Sequence, residues 1–218
     1  MPRPTGGRRR PWPGGQVARA GQPTPMQRAR IATFAVGAVL FAAALALHPI
    51  LLDPAGEAAA YPVIGADRLW PAVHWVALAG ITLWTLPLAS APDSAPAARQ
   101  ALAVGLALWI AVLTFEATAL PQLAAARVPG FWAWTLALGY LGAVLDGLGI
   151  ALLGWSPGTG SGRRLRASGA VIAGASVLAY AAPGAAVPLL ACAGAAALHA
   201  TGTALRRWST QAEAAAVR

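Results

Sequence analysis

The chain carries few charges, a single cysteine and no lysine. Only 11% of its 218 residues are charged, whereas a soluble domain usually has about 25%. The single cysteine, Cys192, excludes an internal disulfide, and no CxxC motif is present. The glycine-rich stretch 158–162 lacks the lysine of a phosphate-binding loop, and Ser156 and Ser161 have no base nearby. These absences argue against conventional soluble enzyme chemistry.

The chain is rich instead in long apolar runs. Hydrophobic residues make up 57% of it, and its mean hydropathy is +0.58. The runs do not alternate polar with apolar residues, so they predict helices and not membrane strands. We predict an all-α, polytopic transmembrane bundle of six helices, with spans at about 31–52, 69–89, 98–120, 131–155, 167–182 and 185–205. The fifth span is the weakest, because its length is marginal for a hydrocarbon core about 30 Å thick.

Two tails flank the predicted membrane domain. Residues 1–28 are rich in proline, glycine and arginine, which predicts a disordered basic tail. The six-helix domain then covers 29–208, and 209–218 form a short C-terminal tail. The first span is long enough to cross the bilayer, which favours an uncleaved helix over a signal peptide. The longest loop, 53–68, predicts an ordered cap or a short interfacial segment.

The arginines are distributed unevenly between the two sides of this predicted bundle. With six spans, fourteen arginines fall on one side, and only Arg68 and Arg127 fall on the other. Because basic segments stay in the cytoplasm, both termini are predicted to be cytoplasmic. The net charge of +9 then reflects juxtamembrane arginines and a tail that contacts anionic lipid, and nucleic acid is not expected as a partner.

Tryptophans near the ends of the spans predict an aromatic belt at the membrane interfaces. Trp70, Trp75, Trp132 and Trp134 fall near the predicted outer interface. Trp155 and Trp208 fall near the inner one. This pattern predicts a structural role for these side chains and no catalytic one.

Small residues recur every four positions along the fourth span. They are Gly139, Ala143, Gly147 and Ala151. Such a stripe lets a neighbouring backbone approach closely. The neighbour is predicted to be another helix of the same chain, and a second copy of the chain, forming an oligomer, is the alternative.

Three polar residues lie at a similar depth, near the outer ends of the first three spans. They are His48, His74 and Glu116. Helices that follow one another in sequence tend to be neighbours, so the three side chains are predicted to meet in one cluster. Two imidazoles and a carboxylate can hold a divalent metal or relay protons, and two histidines can ligate haem iron. Separate local hydrogen bonds near the interface are the alternative.

A second polar pair is predicted deeper in the membrane. Asp146 lies past the middle of the fourth span, where an ionised carboxylate costs at least about 2.5–3.5 kcal/mol. It shares a helical face with the small residues Gly139, Gly142, Ala143 and Gly149. It is therefore predicted to face another helix. His199 of the sixth span is its candidate partner, either as a structural pin or as part of a proton relay.

The order of polar residues at the span ends resembles that of small multi-spanning membrane proteins of high-GC bacteria with no assigned activity. The residues that carry this resemblance are His48-Pro49, Trp70, His74, Glu116 and Leu120-Pro121. Those proteins usually have aspartate where this chain has Glu116. The resemblance implies a bacterial inner-membrane location and does not identify an enzyme or a cofactor.

Three functions follow as hypotheses. The first is a non-enzymatic membrane protein, either an accessory subunit or a small-molecule carrier. The second is a membrane-embedded redox protein with a metal or haem at His48, His74 and Glu116. The third is a small proton-coupled transporter that uses Asp146 and His199. Transporters often contain internal repeats, and the chain has no convincing one.

Overall fold

The computed structural model describes residues 24–49, 53–91, 94–155 and 160–216. Most of these residues are helical, and none of them forms a strand. The helices are α1 (Pro25–Leu47), α2 (Glu57–Ala66), α3 (Trp70–Ala89), α4 (Pro96–Thr118), α5 (Leu120–Ala125), α6 (Phe131–Leu153), α7 (Gly160–Ala181) and α8 (Ala186–Ala216), with a 3-10 turn at Pro183–Ala185.

Five segments of the described chain are long and apolar enough to cross a membrane. They are α1, α3, α4, α6 and the segment Pro183–Gln211, which contains most of α8. The chain is therefore a helical membrane protein. The remaining long helix, α7, is too polar to join this group because Arg163, Arg164 and Arg166 lie in its first turns. It nevertheless packs along both α6 and α8.

The first helix begins and ends earlier than the first apolar run. Thr24 and Gln27 form a capping box, in which each side chain accepts a hydrogen bond from the other's backbone N–H. The helix therefore includes the last residues of the predicted basic tail. It ends at Leu47 because His48, which precedes a proline, adopts an extended backbone. The rest of the predicted tail, residues 1–23, lies outside the described part of the chain.

Helix α8 is longer than the predicted sixth span. Its backbone continues past residue 205 to Ala216, so most of the predicted C-terminal tail is helical. The final two residues of that tail lie outside the described residues.

Glycines bring two pairs of helices into direct backbone contact, α1 with α3 and α6 with α7. Gly37 of α1 lies against the backbone of α3, where an added Cβ atom would be 2.4 Å from the Trp84 nitrogen. Likewise, a Cβ atom on Gly147 of α6 would be 2.6 Å from the nitrogen of Ala173 in α7. Gly169 of α7 lies equally close to Ala151. Two members of the predicted small-residue stripe, Gly147 and Ala151, thus pack within the chain, against α7.

The short helices α2 and α5 pack against each other and cover one end of the bundle, which we call the capped end. It is also the end where α1 and α4 finish and where α3, α6 and α8 begin. The Tyr61 hydroxyl of α2 donates to the Val128 carbonyl oxygen at 2.6 Å. Burial, with the neighbouring Glu57 carboxylate, raises the pKa of Tyr61. The predicted loop cap is therefore an ordered helix that is tied to the start of α6.

Glu57 of α2 caps the N-terminus of α6. Its carboxylate accepts from the backbone N–H of Gly130 at 2.8 Å and from that of Trp132 at 3.3 Å. Gly130 has a φ of 92°, in the left-handed region that favours glycine. The carboxylate also meets the positive end of the α6 dipole.

Removing this cap is expected to loosen the capped end. Glu57→Ala should lower the free energy of unfolding by about 1–2 kcal/mol, in the range of lost N-caps. Glu57→Gln keeps one acceptor oxygen and should lose less. Denaturant titration in detergent micelles measures both, and equal stability of Glu57→Ala and wild type would contradict this role.

Candidate functional site

A cavity of about 380 Å³ lies within the bundle, between α1, α3, α4, α6, α7 and α8. Its walls are almost entirely apolar. Its histidine and acidic side chains lie at two levels. His48, His74 and Glu116 lie toward the capped end, and Asp146 lies further along α6. The sequence placed these polar groups at two depths, and the cavity connects the two.

His74 is the central residue of the group near the capped end. It lies one turn into α3 and its side chain is only 1% exposed. Its Nδ1 is 2.6 Å from the Trp70 carbonyl oxygen in the preceding turn. Since a carbonyl oxygen only accepts, Nδ1 of His74 carries a proton and donates. The helix thus orients the His74 ring so that its Nε2 faces His48 and Glu116.

His48 is held in the same way from the end of α1. Its Nδ1 is 2.6 Å from the Pro49 carbonyl oxygen, so this nitrogen also donates. Its Nε2 then faces Nε2 of His74 at 3.1 Å. The break of α1 at the residue before Pro49 is what places this ring over the cavity.

Glu116 completes the group from α4. Its Oε2 lies 3.1 Å from Nε2 of His74. We call His48, His74 and Glu116 the shared-proton centre. Two imidazole nitrogens 3.1 Å apart attract each other only if one carries a proton. A proton on His74 Nε2 also satisfies the Glu116 carboxylate, so one proton serves all three groups.

Trp70 supports this centre from one side. Its ring lies 4.5 Å from the His74 ring and 4.8 Å from the His48 ring, centroid to centroid. Its Nε1–H donates to the Glu116 carbonyl oxygen at 2.9 Å, which ties α3 to α4. The aromatic ring also shields the centre from water.

The predicted aromatic belt is wrong for two of its four outer members. Trp70 and Trp132 are each about 1% exposed, and the Trp132 indole donates to the Asp53 carbonyl oxygen inside the capped end. Trp75 and Trp134 are exposed and fit the predicted position. The buried pair had to find hydrogen-bond partners because an unpaired indole N–H is costly inside a protein.

The contacts of the centre bear on its predicted ligands. Within the described residues, no group of three or more His, Cys, Asp or Glu side chains has an arrangement that would hold a metal ion. Axial ligation of one haem iron by both histidines requires their Nε2 atoms about 4 Å apart, twice a metal–nitrogen distance of about 2 Å. The observed separation is 3.1 Å. Metal and haem binding therefore stay predictions from the sequence.

Asp146 has a different partner from the predicted one. Its Oδ2 accepts from the Trp109 indole at 2.9 Å, and Oδ1 is buried without a hydrogen-bond partner. The side chain fits against α4 because Gly105 leaves room, since a Cβ atom there would lie 2.7 Å from Oδ1. His199 is exposed on α8. The predicted pairing of Asp146 with His199 is not formed.

Trp109 is the site residue that the sequence interpretation missed. It lies inside an apolar run, where its N–H requires an acceptor, and that requirement was the available signal. Its ring lies against Gly142 of α6, where an added Cβ atom would be 3.1 Å from Nε1. The small residues around Asp146 thus make room for an indole from α4.

Comparison of the chain with protein-family models, with curated proteins and with solved structures finds no match. The resemblance based on the polar span ends therefore remains a prediction.

Proposed function

We propose that the chain is a membrane-embedded binding protein for a small apolar molecule that carries one neutral hydrogen-bonding head group. The single observation behind this proposal is the cavity of about 380 Å³ with the shared-proton centre in its wall. Ligand pockets typically have volumes of about 300–1,000 Å³, apolar walls and a few placed polar groups. This function corresponds to the small-molecule carrier among the three hypotheses.

The head group is assigned by the chemistry of the centre. Besides their two Nδ1 protons, His48, His74 and Glu116 share one proton. The centre can therefore donate to a hydroxyl or carbonyl oxygen and accept from a hydroxyl group. A charged head group would have to lose its hydration inside apolar walls, which costs several kcal/mol. We therefore expect a neutral alcohol, phenol or ketone.

The proposal includes six spans with both termini in the cytoplasm of a bacterial cell. Helix α6 ends at the end of the bundle opposite the cap, and α8 begins at the capped end. The chain between them is α7, whose 22 residues extend about 33 Å at a rise of about 1.5 Å per residue. Its three arginines then lie on the cytoplasmic side, as the charge asymmetry requires.

A brominated alcohol tests the binding function directly. The probe is 10-bromodecan-1-ol, whose bromine quenches the tryptophans that line the cavity, Trp84 and Trp109 among them. Saturable quenching is expected, and unbrominated decan-1-ol should reverse it. Ala143→Phe fills part of the cavity and should weaken binding at least about tenfold, equivalent to about 1.4 kcal/mol.

The matched control is Ala103→Phe, because Ala103 is exposed on α4 and does not line the cavity. It should bind the probe as the wild type does. Quenching that rises linearly with the probe in every variant reports only partition into the detergent. That result would rule out the binding function.

A further inference from the structure

Within the described residues, the exposed part of the cavity lining lies on one side of the bundle. Four of its lining residues are exposed, and all four lie on α1 or α8: Ala42, Leu45, Gly194 and Leu198. Leu45 is 57% exposed and Leu198 is 63% exposed. The lining residues that α3, α4, α6 and α7 contribute are buried or partly buried. The opening therefore lies between α1 and α8.

Helices α1 and α8 contact each other further from the capped end than this opening. At the end opposite the cap, the Phe34 ring of α1 meets the Trp208 ring of α8 with centroids 5.3 Å apart. The Arg30 guanidinium lies over the same indole at 5.6 Å. Nearer the cavity, Trp84 of α3 stacks on Phe34 of α1 at 5.9 Å and donates to Thr201 of α8 at 3.0 Å, so it bridges the two helices. These contacts close the gap between α1 and α8 in the half of the bundle opposite the cap. The gap stays open on the side of the bundle, in the half nearer the capped end.

Lipid surrounds this opening in a membrane. Both α1 and the segment that contains α8 are apolar enough to span a bilayer. The exposed residues at the opening are leucine, alanine and glycine, which suit contact with acyl chains and not with water. The end of the bundle above the cavity, the capped end, is covered by α2 and α5.

We propose that the gap between the capped-end halves of α1 and α8 is a lateral portal, through which the ligand enters the cavity from the lipid phase. This inference rests on the proposed binding function. It also narrows the ligand class to molecules that dissolve in the membrane. The polar head group of such a molecule has to reach the shared-proton centre through the portal. Ala42 and Gly194, which are exposed and line the cavity, place only small side chains at the edges of this portal.

Narrowing the portal tests the inference through binding rates. In Ala42→Phe/Gly194→Phe, stopped-flow quenching by 10-bromodecan-1-ol should give association and dissociation rates that are both lower by about tenfold. Both rates should fall because entry and exit use the same gap. Since Ala42 and Gly194 also line the cavity, the Kd can change as well, but by a smaller factor than the association rate. The matched control, Val39→Phe/Ala195→Phe, changes exposed residues of the same helices that do not line the cavity. Its rates should equal those of the wild type.

A reversible cross-link removes misfolding as an explanation. Leu45→Cys and Leu198→Cys, in a Cys192→Ser background, are joined by a reducible bis-methanethiosulfonate reagent and then released with a thiol. Slow exchange that recovers on release supports the portal. Unchanged rates in the cross-linked protein and in Ala42→Phe/Gly194→Phe would overturn it while the binding function stands. Loss of saturable quenching in the wild type would instead remove the binding function itself.

Discussion

His74→Ala is expected to lower the free energy of unfolding by about 3–5 kcal/mol, because it leaves the buried Glu116 carboxyl without its partner. The Glu116 side chain is only 10% exposed, and its Oε2 contacts Nε2 of His74 at 3.1 Å. The substitution also removes the hydrogen bond to His48. The measurement is denaturant titration in detergent micelles, followed by tryptophan fluorescence.

Two further variants separate the interaction from the loss of packing. In His74→Ala/Glu116→Ala both partners are absent, so the double variant should cost clearly less than the sum of the two single variants. His199→Ala is the matched control, since His199 is an exposed histidine. Its effect should stay within about 0.5 kcal/mol. Strict additivity of the His74 and Glu116 variants would show that they share no proton.

Metal analysis of the same samples decides between a shared proton and a bound ion. With a shared proton, the wild type and His74→Ala should contain equal, negligible amounts of transition metal after purification without chelator. A stoichiometric metal in the wild type that is absent from His74→Ala would falsify the shared proton and establish the metal site predicted from the sequence.

Gly37→Ala is expected to move α1 away from α3 and to cost about 3 kcal/mol. The added Cβ atom would lie 2.4 Å from the Trp84 nitrogen and 2.8 Å from the Gly80 carbonyl oxygen. Backbone atoms of a packed helix cannot turn aside, so the whole of α1 has to shift. Because α1 also carries His48, saturable quenching by 10-bromodecan-1-ol should weaken together with stability.

The control for this substitution is Gly174→Ala. Gly174 lies on α7, and nothing comes within 4 Å of an added Cβ atom. Alanine is a better helix former than glycine by about 1 kcal/mol, so this variant should be as stable as the wild type or more so. Equal melting temperatures of Gly37→Ala and Gly174→Ala would show that the α1–α3 contact is looser than described.

The polar cluster near the capped end was predictable for a specific reason. His48, His74 and Glu116 lie near span ends that meet on one side, and their helices follow one another in sequence. Consecutive helices tend to be neighbours, and α1, α3 and α4 do pack in that order. Which side-chain atoms contact each other depends on two local features. They are the break of α1 before Pro49 and the hydrogen bond from His74 to the Trp70 carbonyl oxygen.

The second polar pair was predicted incorrectly because depth alone does not orient a side chain. Asp146 and His199 lie at comparable depths, but a helix can turn about its own axis without changing the depth of any residue. Packing set that rotation. Gly105 and Trp109 of α4 receive the Asp146 carboxyl, and α8 presents His199 outward.

By itself, the sequence determined that the chain is a helical membrane protein and that three polar groups lie at one depth. Hydrophobic length determines both, because lipid requires about 20 apolar residues in each span and penalises polar groups within it. Tertiary packing alone decided the cavity, the partner of Asp146 and the opening between α1 and α8. These features depend on how each helix is rotated and how closely its neighbours approach. The distance between neighbouring helices is set by contacts such as that of Gly37 with the α3 backbone. Such contacts cannot be predicted from the local sequence pattern.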